Sequence, residues 1–222
     1  MKQSFLLLFA LLFSFSVNAQ DHEATLYFHD GTDISGYASL KLDKASFYGL
    51  PQDKILFRIS KDDEPDTWDQ ETITKIVFHD FDFPRTFEYI EIKFSNGNET
   101  CLFELITEGE VNLYADAMAA WNSKPKDPDQ GSHVLPDEKH LKVKRKNETK
   151  LTSFNGNKKK IATYFNECPG VIEILTNNSV KAETLQEIVE YYNDLCIGYN
   201  PTSSINKQKT TGDTETEQED GE

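Results

Sequence analysis

The chain has 222 residues, 37% of them hydrophobic, three cysteines, and 23 basic against 38 acidic side chains, a formal net charge of −15. This length and apolar content suffice for one sizeable core or two small ones, and three cysteines exclude a small disulfide-rich scaffold. The acidic balance opposes nucleic acid and anionic lipid as partners unless the basic residues are segregated onto one surface, because a polyanion is otherwise repelled.

At the amino terminus Lys2 precedes an apolar run from Phe5 to Val17, interrupted only by Ser14 and Ser16. A positive start followed by an apolar core too short to span a bilayer comfortably is the pattern of a secretory signal peptide. Val17-Asn18-Ala19 supplies the residues a signal peptidase reads, which places cleavage before Gln20 and makes residues 1–19 removable. Residues 20–222 then hold 22 basic and 38 acidic side chains. No cysteine closely follows Ala19, so a lipid anchor is not expected, and no later segment approaches the length of about eighteen apolar residues needed for a transmembrane segment. The expected location is periplasmic or secreted.

Residues 20–121 read as an antiparallel β domain. Asp30-Gly31 suits a tight turn between Glu23–His29 and Thr32–Leu42, because Gly accepts positive φ. Lys54–Ile59 and Ile73–Phe78 alternate as strands on either side of an acidic loop, Lys61 to Asp69. Asn96-Gly97 predicts a hairpin in which Phe94 faces Glu99, Ile92 faces Cys101 and Ile90 faces Phe103. One face then carries Ile90, Ile92, Phe94, Cys101, Phe103 and Leu105 and is expected to be the core face. The other, with Tyr89, Glu91, Lys93, Leu102, Glu104 and Ile106, is expected to be mostly solvated. Gly109 breaks the strand, Val111–Tyr114 resumes it, and a small-residue stretch from Ala115 to Ala120 ends in Trp121.

Residues 122–136, with three prolines, read as a linker. Residues 137–198 read as a hairpin plus three helices: Lys139–Lys146 and Lys150–Phe154 turning at Asn147-Glu148, a helix over Asn157–Glu167 stopped by Pro169-Gly170, a short piece over Val171–Thr176, and the longest helix over Lys181–Leu195. In the last, Leu185, Ile188, Val189, Tyr192 and Leu195 form an apolar stripe opposite Glu183, Glu187, Glu190 and Asp194. Residues 199–222 read as a disordered acidic tail, with six acids in the last ten residues and too few apolar groups to offset ordering entropy. The basic runs Lys139–Lys146 and Lys158–Lys160 fit a solvated face or charged strand edge better than a nucleic-acid site.

Several constellations could carry chemistry. Phe28-His29-Asp30 recurs as Phe78-His79-Asp80, followed by Asp82, so His29, His79, Asp80 and Asp82 could hold a transition metal if the strands bring them together; two solvated turn histidines are the competing reading. Asp62, Asp63, Glu64, Asp66 and Asp69 have the acid density of a calcium site without the glycine and alternation of an EF-hand loop. Cys168 and Cys196 could pair in an oxidising compartment if their Cα atoms come within about 7 Å, whereas Cys101 alternates with Phe103 and Leu105 as a buried residue. No Gly-x-Ser-x-Gly elbow, Walker loop or dinucleotide fingerprint occurs, and no cofactor is implied. Sequons stand at Asn98, Asn147 and Asn177, and matter only in a host that glycosylates them.

Taken in order, Asn18-Ala19-Gln20 is followed by Ile34-Ser35-Gly36-Tyr37, Ile55–Ile59 with Thr72–Ile76, Gly109-Glu110-Val111-Asn112-Leu113-Tyr114, Tyr164-Phe165-Asn166-Glu167-Cys168-Pro169 and Tyr191-Tyr192-Asn193, which are spread along most of residues 24–196. In this order they resemble a class of uncharacterised exported proteins from Bacteroidetes-type bacteria. The resemblance implies a β-rich front half and a small helical back half, and no activity or catalytic residue. The expected fold is α+β, an antiparallel sheet or small open barrel followed by a hairpin and three helices. The expected function is that of a non-enzymatic binding or envelope-associated protein whose partner is a protein or envelope component. The alternative is a hydrolase or metal-dependent enzyme with an unrecognised site.

Overall fold

The computed structural model describes residues 21–42, 53–94, 97–123 and 134–197. The signal segment, most of the linker, Asn96 of the expected turn and the tail lie outside the described residues. The fold is α+β. Among the described residues there are nine strands, all but the short β4 following apolar alternation: β1 (His22–Phe28), β2 (Asp33–Lys41), β3 (Lys54–Arg58), β4 (Asp66–Trp68, within the expected acidic loop), β5 (Ile73–Phe78), β6 (Arg85–Phe94), β7 (Gly97–Thr107), β8 (Val111–Asp116) and β9 (Leu141–Arg145). They form one antiparallel sheet in the order β4-β3-β2-β1-β5-β6-β7-β8-β9. Two meanders therefore run outward from the central neighbours β1 and β5.

The connection from β4 to β5 dictates the curvature. Residues 69–72 link strands four positions apart in the sheet. In a flat sheet those positions are about 19 Å apart, roughly the limit of what the chain can reach fully extended. The sheet instead curls, bringing β3 toward β6 and β7: the Tyr89 hydroxyl donates to the Asp53 carbonyl at 2.8 Å, and the Leu102 amide to the Asp53 carboxylate at 3.3 Å. Inside the curl Leu26, Ile55, Phe57, Ile76, Phe78, Phe87 and Leu102 are buried. Helix α1 (Ala117–Asn122), in the small-residue stretch, closes this core with Ala117 and Trp121.

The β6–β7 hairpin pairs Phe94 with Gly97, Ile92 with Glu99 and Ile90 with Cys101, two residues away from the expected register. Because side chains alternate with a period of two, this shift leaves the division of faces unchanged. The expectation that only one face is buried is corrected. Phe87, Leu102 and Glu104 are 0%, 1% and 2% exposed on the side expected to be solvated, because the curl and α1 cover it. Ile90, Cys101, Phe103 and Tyr114 form a smaller cluster on the other side.

Past residue 134 the chain returns to the same sheet, as β9 pairs with β8. The expected return strand is reduced to one bridge, Val143 to Thr152. Helix α2 (Lys158–Tyr164) starts at Asn157, whose side chain accepts the Lys160 amide. Pro169-Gly170 opens α3 (Pro169–Asn177) instead of only stopping the preceding helix, since proline at the first helical position sacrifices no hydrogen bond. Helix α4 (Ala182–Tyr191) runs into a π-helical turn over Tyr192–Cys196. The wider turn rotates the following positions, so Leu195, expected on the apolar stripe, is 63% exposed and Cys196 is buried. These helices cover the inner side of β8 and β9 through Leu113, Val143, Ile161, Phe165, Leu185 and Ile188.

Cys168, just before α3, and Cys196, at the end of the π-helical turn, are joined by a disulfide with Cα atoms 5.6 Å apart, closing 28 residues of chain. No helix among the described residues is long and apolar enough to cross a membrane. Replacing both cysteines, Cys168→Ala with Cys196→Ala, is expected to lower unfolding free energy by about 2–4 kcal/mol, because loop-closure entropy returns to the unfolded chain. Urea denaturation of the oxidised protein and the double variant measures this.

Candidate functional site

The densest polar assembly joins β9 to the helices. Arg145, last in β9, alternates with Leu141 and Val143 and so points at the helical layer. Its Nη1 donates to the Tyr192 hydroxyl at 2.6 Å, and its Nη2 to the Tyr164 carbonyl at 2.7 Å and to Glu167 Oε1 at 2.5 Å. Tyr192 also donates to Glu167 at 2.8 Å. The guanidinium lies 4.9 Å from the ring centres of both Tyr164 and Tyr192. The Tyr164 hydroxyl donates to Glu148 at 2.7 Å. Burial raises the Glu167 carboxyl, but hydrogen bonds from its own backbone, Tyr192 and Arg145 outweigh this and hold it below the ordinary value. Burial opposes the charge on Arg145, and its bonds to Tyr192 and Glu167 more than restore it.

Next to this node Asn193 acts as a short artificial strand. Its Oδ1 accepts the Val111 amide and its Nδ2 donates to the Val111 carbonyl, both at 2.9 Å. A Cβ on Gly109 would sit 2.2 Å from the Asn193 side chain, so only glycine permits the clamp. Three segments, Gly109–Tyr114, Tyr164–Pro169 and Tyr191–Asn193, thus converge on one interlock. Its hydrogen bonds tie β9 and β8 to the helical layer, which makes it architecture.

The metal candidates do not converge. Antiparallel pairing of β1 with β5, from Ala24 opposite Phe78 to Phe28 opposite Ile73, places His29 beyond one end and His79 beyond the other, about 20 Å apart. His29 shares a hydrogen bond with the Gln70 carbonyl at 3.0 Å. His79 meets the Thr25 hydroxyl at 2.9 Å, which in turn meets Ser35. Asp80 pairs with His22 at 2.9 Å, and Asp82 lies between β5 and β6. In the acidic loop Asp63 accepts the Ser60 amide and Asp69 the Glu71 amide. Among the described residues no three His, Cys, Asp or Glu side chains gather as a metal-binding group.

A cleft opens elsewhere, between the β5–β6 connection, β7, α1 and the start of α4. It has two adjoining compartments of about 560 and 760 Å³ that share Val134, Leu135 and Glu183. Phe83, 74% exposed, stands at its mouth, and Ile106 and Val180 line its walls. Its floor is an ion pair: Arg85 Nε donates to Glu104 Oε1 at 2.6 Å and Nη2 to Oε2 at 2.9 Å. Arg85 also donates to the Ala120 carbonyl at 3.1 Å and lies 5.1–5.3 Å from the rings of Phe81, Phe87 and Trp121. On the rim, His140 lies 3.1 Å from Asp116, to which Lys142 is also paired.

Arg85 and Glu104 were not singled out by sequence reasoning, nor were Arg145, Glu167 or Asn193 as functional or structural polar centres. The available signal was a charge inside an apolar alternation: Glu104 between Leu102 and Ile106, and Arg145 after Leu141 and Val143. No family model matches the chain, and no curated protein or solved structure matches it.

Two outcomes follow from these polar pairs. Glu104→Gln alone should cost about 3–5 kcal/mol, because it takes the bidentate carboxylate from the buried Arg85 guanidinium, while Arg85→Met with Glu104→Gln should cost clearly less than the two single losses combined. A double-mutant cycle in urea measures the difference. For Glu167, whose folded carboxyl titrates below its ordinary 4.5, the contribution is present above that pH and is lost as pH falls through the lower folded value. Glu167→Gln should therefore be less stable than wild type at pH 7 and show a shallower loss of stability on acidification.

Proposed function

We propose that the protein is an exported, periplasmic or secreted binding protein, associated with the envelope, that holds its ligand in the cleft between β7, α1 and α4 without transforming it. The observation that carries this reading is the cleft itself: a ligand-sized concavity whose walls mix apolar side chains (Ile106, Leu135, Val180) with polar ones (Glu183, Gln186, His140), with an exposed aromatic at its mouth and an ion pair as its floor. Such a floor offers a fixed, desolvated surface for recognition. The competing metal-dependent reading calls for His29 and His79 to converge, and the β1–β5 ladder sets them at opposite ends. Export is supported by the positive, apolar and small-residue succession of residues 1–19.

Cell fractionation with intact-mass analysis should find the chain outside the cytoplasm and beginning at Gln20; a cytosolic product retaining Met1 would refute export. For the cleft, Nile red fluorescence titration tests occupancy by an apolar ligand. Phe83→Ala and Glu183→Trp, both at exposed positions, should each weaken dye binding about tenfold, the first by removing the aromatic at the mouth and the second by filling the shared wall. Unchanged affinity in both variants, or no dye binding by the wild type, would overturn the cleft assignment.

A further inference from the structure

The two edges of the sheet carry opposite charge. Residues 139–160 contain nine of the chain's 23 basic side chains and only one of its 38 acids, Glu148. They form the edge strand β9, its return segment and the start of α2. Some of these bases are used internally: Arg145 points into the helices, Lys142 pairs with Asp116, Lys139 with Asp137, and Lys158 donates to the Leu175 carbonyl. Lys144, Lys146, Lys150, Lys159 and Lys160 make no ion pair among the described residues. At the other edge β4 and its flanks carry Asp62, Asp63, Glu64, Asp66, Asp69 and Glu71, with no base among residues 62–71. No ion pair joins the two edges among the described residues.

We propose that copies of the chain associate head to tail, the acidic β4 edge of one molecule seating on the basic β9 edge of the next. The contact is made by side chains, because the outer backbone of β9 is already engaged: Val143 exchanges both hydrogen bonds with Thr152, and the Arg145 amide donates to Glu148. Unlike surfaces meeting in this way make a heterologous contact, which leaves a free edge at each end and lets assembly continue beyond a dimer. The remainder of the surface is acidic and repels other copies, so the association is weak and depends on salt. The sign of that dependence is diagnostic. Were the charge spread evenly, added salt would relieve repulsion and favour association; with opposed edges, added salt dissolves it. This assembly does not rest on the cleft reading.

Sedimentation velocity on the full chain lacking residues 1–19, in about 20 mM and about 500 mM NaCl, reads this directly. At low salt the weight-average mass should rise with concentration past about twice the monomer mass, and at high salt it should fall back to the monomer. Lys144→Glu/Lys146→Glu/Lys150→Glu and, separately, Asp62→Lys/Glu64→Lys/Asp66→Lys should each be monomeric at low salt. An equimolar mixture should associate again, since each variant then meets an edge of opposite sign. A wild type that stays monomeric at low salt, association that strengthens with salt, or a mixture that fails to recover would overturn the proposal. A chain that binds heparin through these lysines without self-association would overturn it in favour of a polyanionic partner.

Discussion

Arg145 is where the two halves of this protein become one. Its backbone belongs to the sheet and its guanidinium to the helices: a single side chain bonds the Tyr164 carbonyl at the end of α2, Glu167 between α2 and α3, and Tyr192 in the π-helical turn. Apolar packing across Leu113, Val143, Ile161 and Leu185 is non-directional and tolerates sliding. The planar fork of Arg145 does not, since each of its bonds is made at one angle. The Asn193 clamp on Val111 acts in the same sense a few residues away, and Gly109 leaves room for it. Together they fix where the helical layer sits, and thereby the wall that α4 contributes to the cleft.

The Arg85–Glu104 pair has the corresponding role in the curled part of the sheet. It bridges β6 and β7, reaches the end of α1 through the Ala120 carbonyl, and is enclosed by Phe81, Phe87 and Trp121. Curling forced by the short β4–β5 connection makes the enclosed volume, and α1 covers its open side. A charged pair in that position is satisfied by geometry, and the same geometry makes it the floor of a cleft.

Much of the architecture was legible because it rests on local pattern. The alternation in β1, β2, β5 and β8, the start of α2 near Asn157 and the apolar stripe of α4 all follow from spacing within a few residues. What was not legible depends on partners distant in sequence. The mixed face of the hairpin looked solvated because Glu104 and Glu91 look alike in sequence; only Arg85 and α1 distinguish them. Leu195 leaves the apolar stripe because one π-helical turn adds a residue that no propensity announces. Pro169-Gly170 suits either a stop or a start, and the segment after it decides. The recurrent Phe-His-Asp triplets suggested a shared site, whereas antiparallel pairing of the strands that carry them keeps them apart.

The burial of Cys101 bears on how the covalent structure comes to be correct. It is the first of the three cysteines along the chain, and in an oxidising environment it would be the first thiol available for a wrong bond. Once β6, β7 and β8 have paired, it is 6% exposed, and burial, followed by the nearby charges of Asp53 and Glu99, pushes its thiol up to about 11. At neutral pH such a thiol is almost wholly protonated and unable to attack a disulfide. In the folded chain the sheet thus withdraws one of the three thiols, leaving Cys168 and Cys196 as the one pairing where three cysteines allow three.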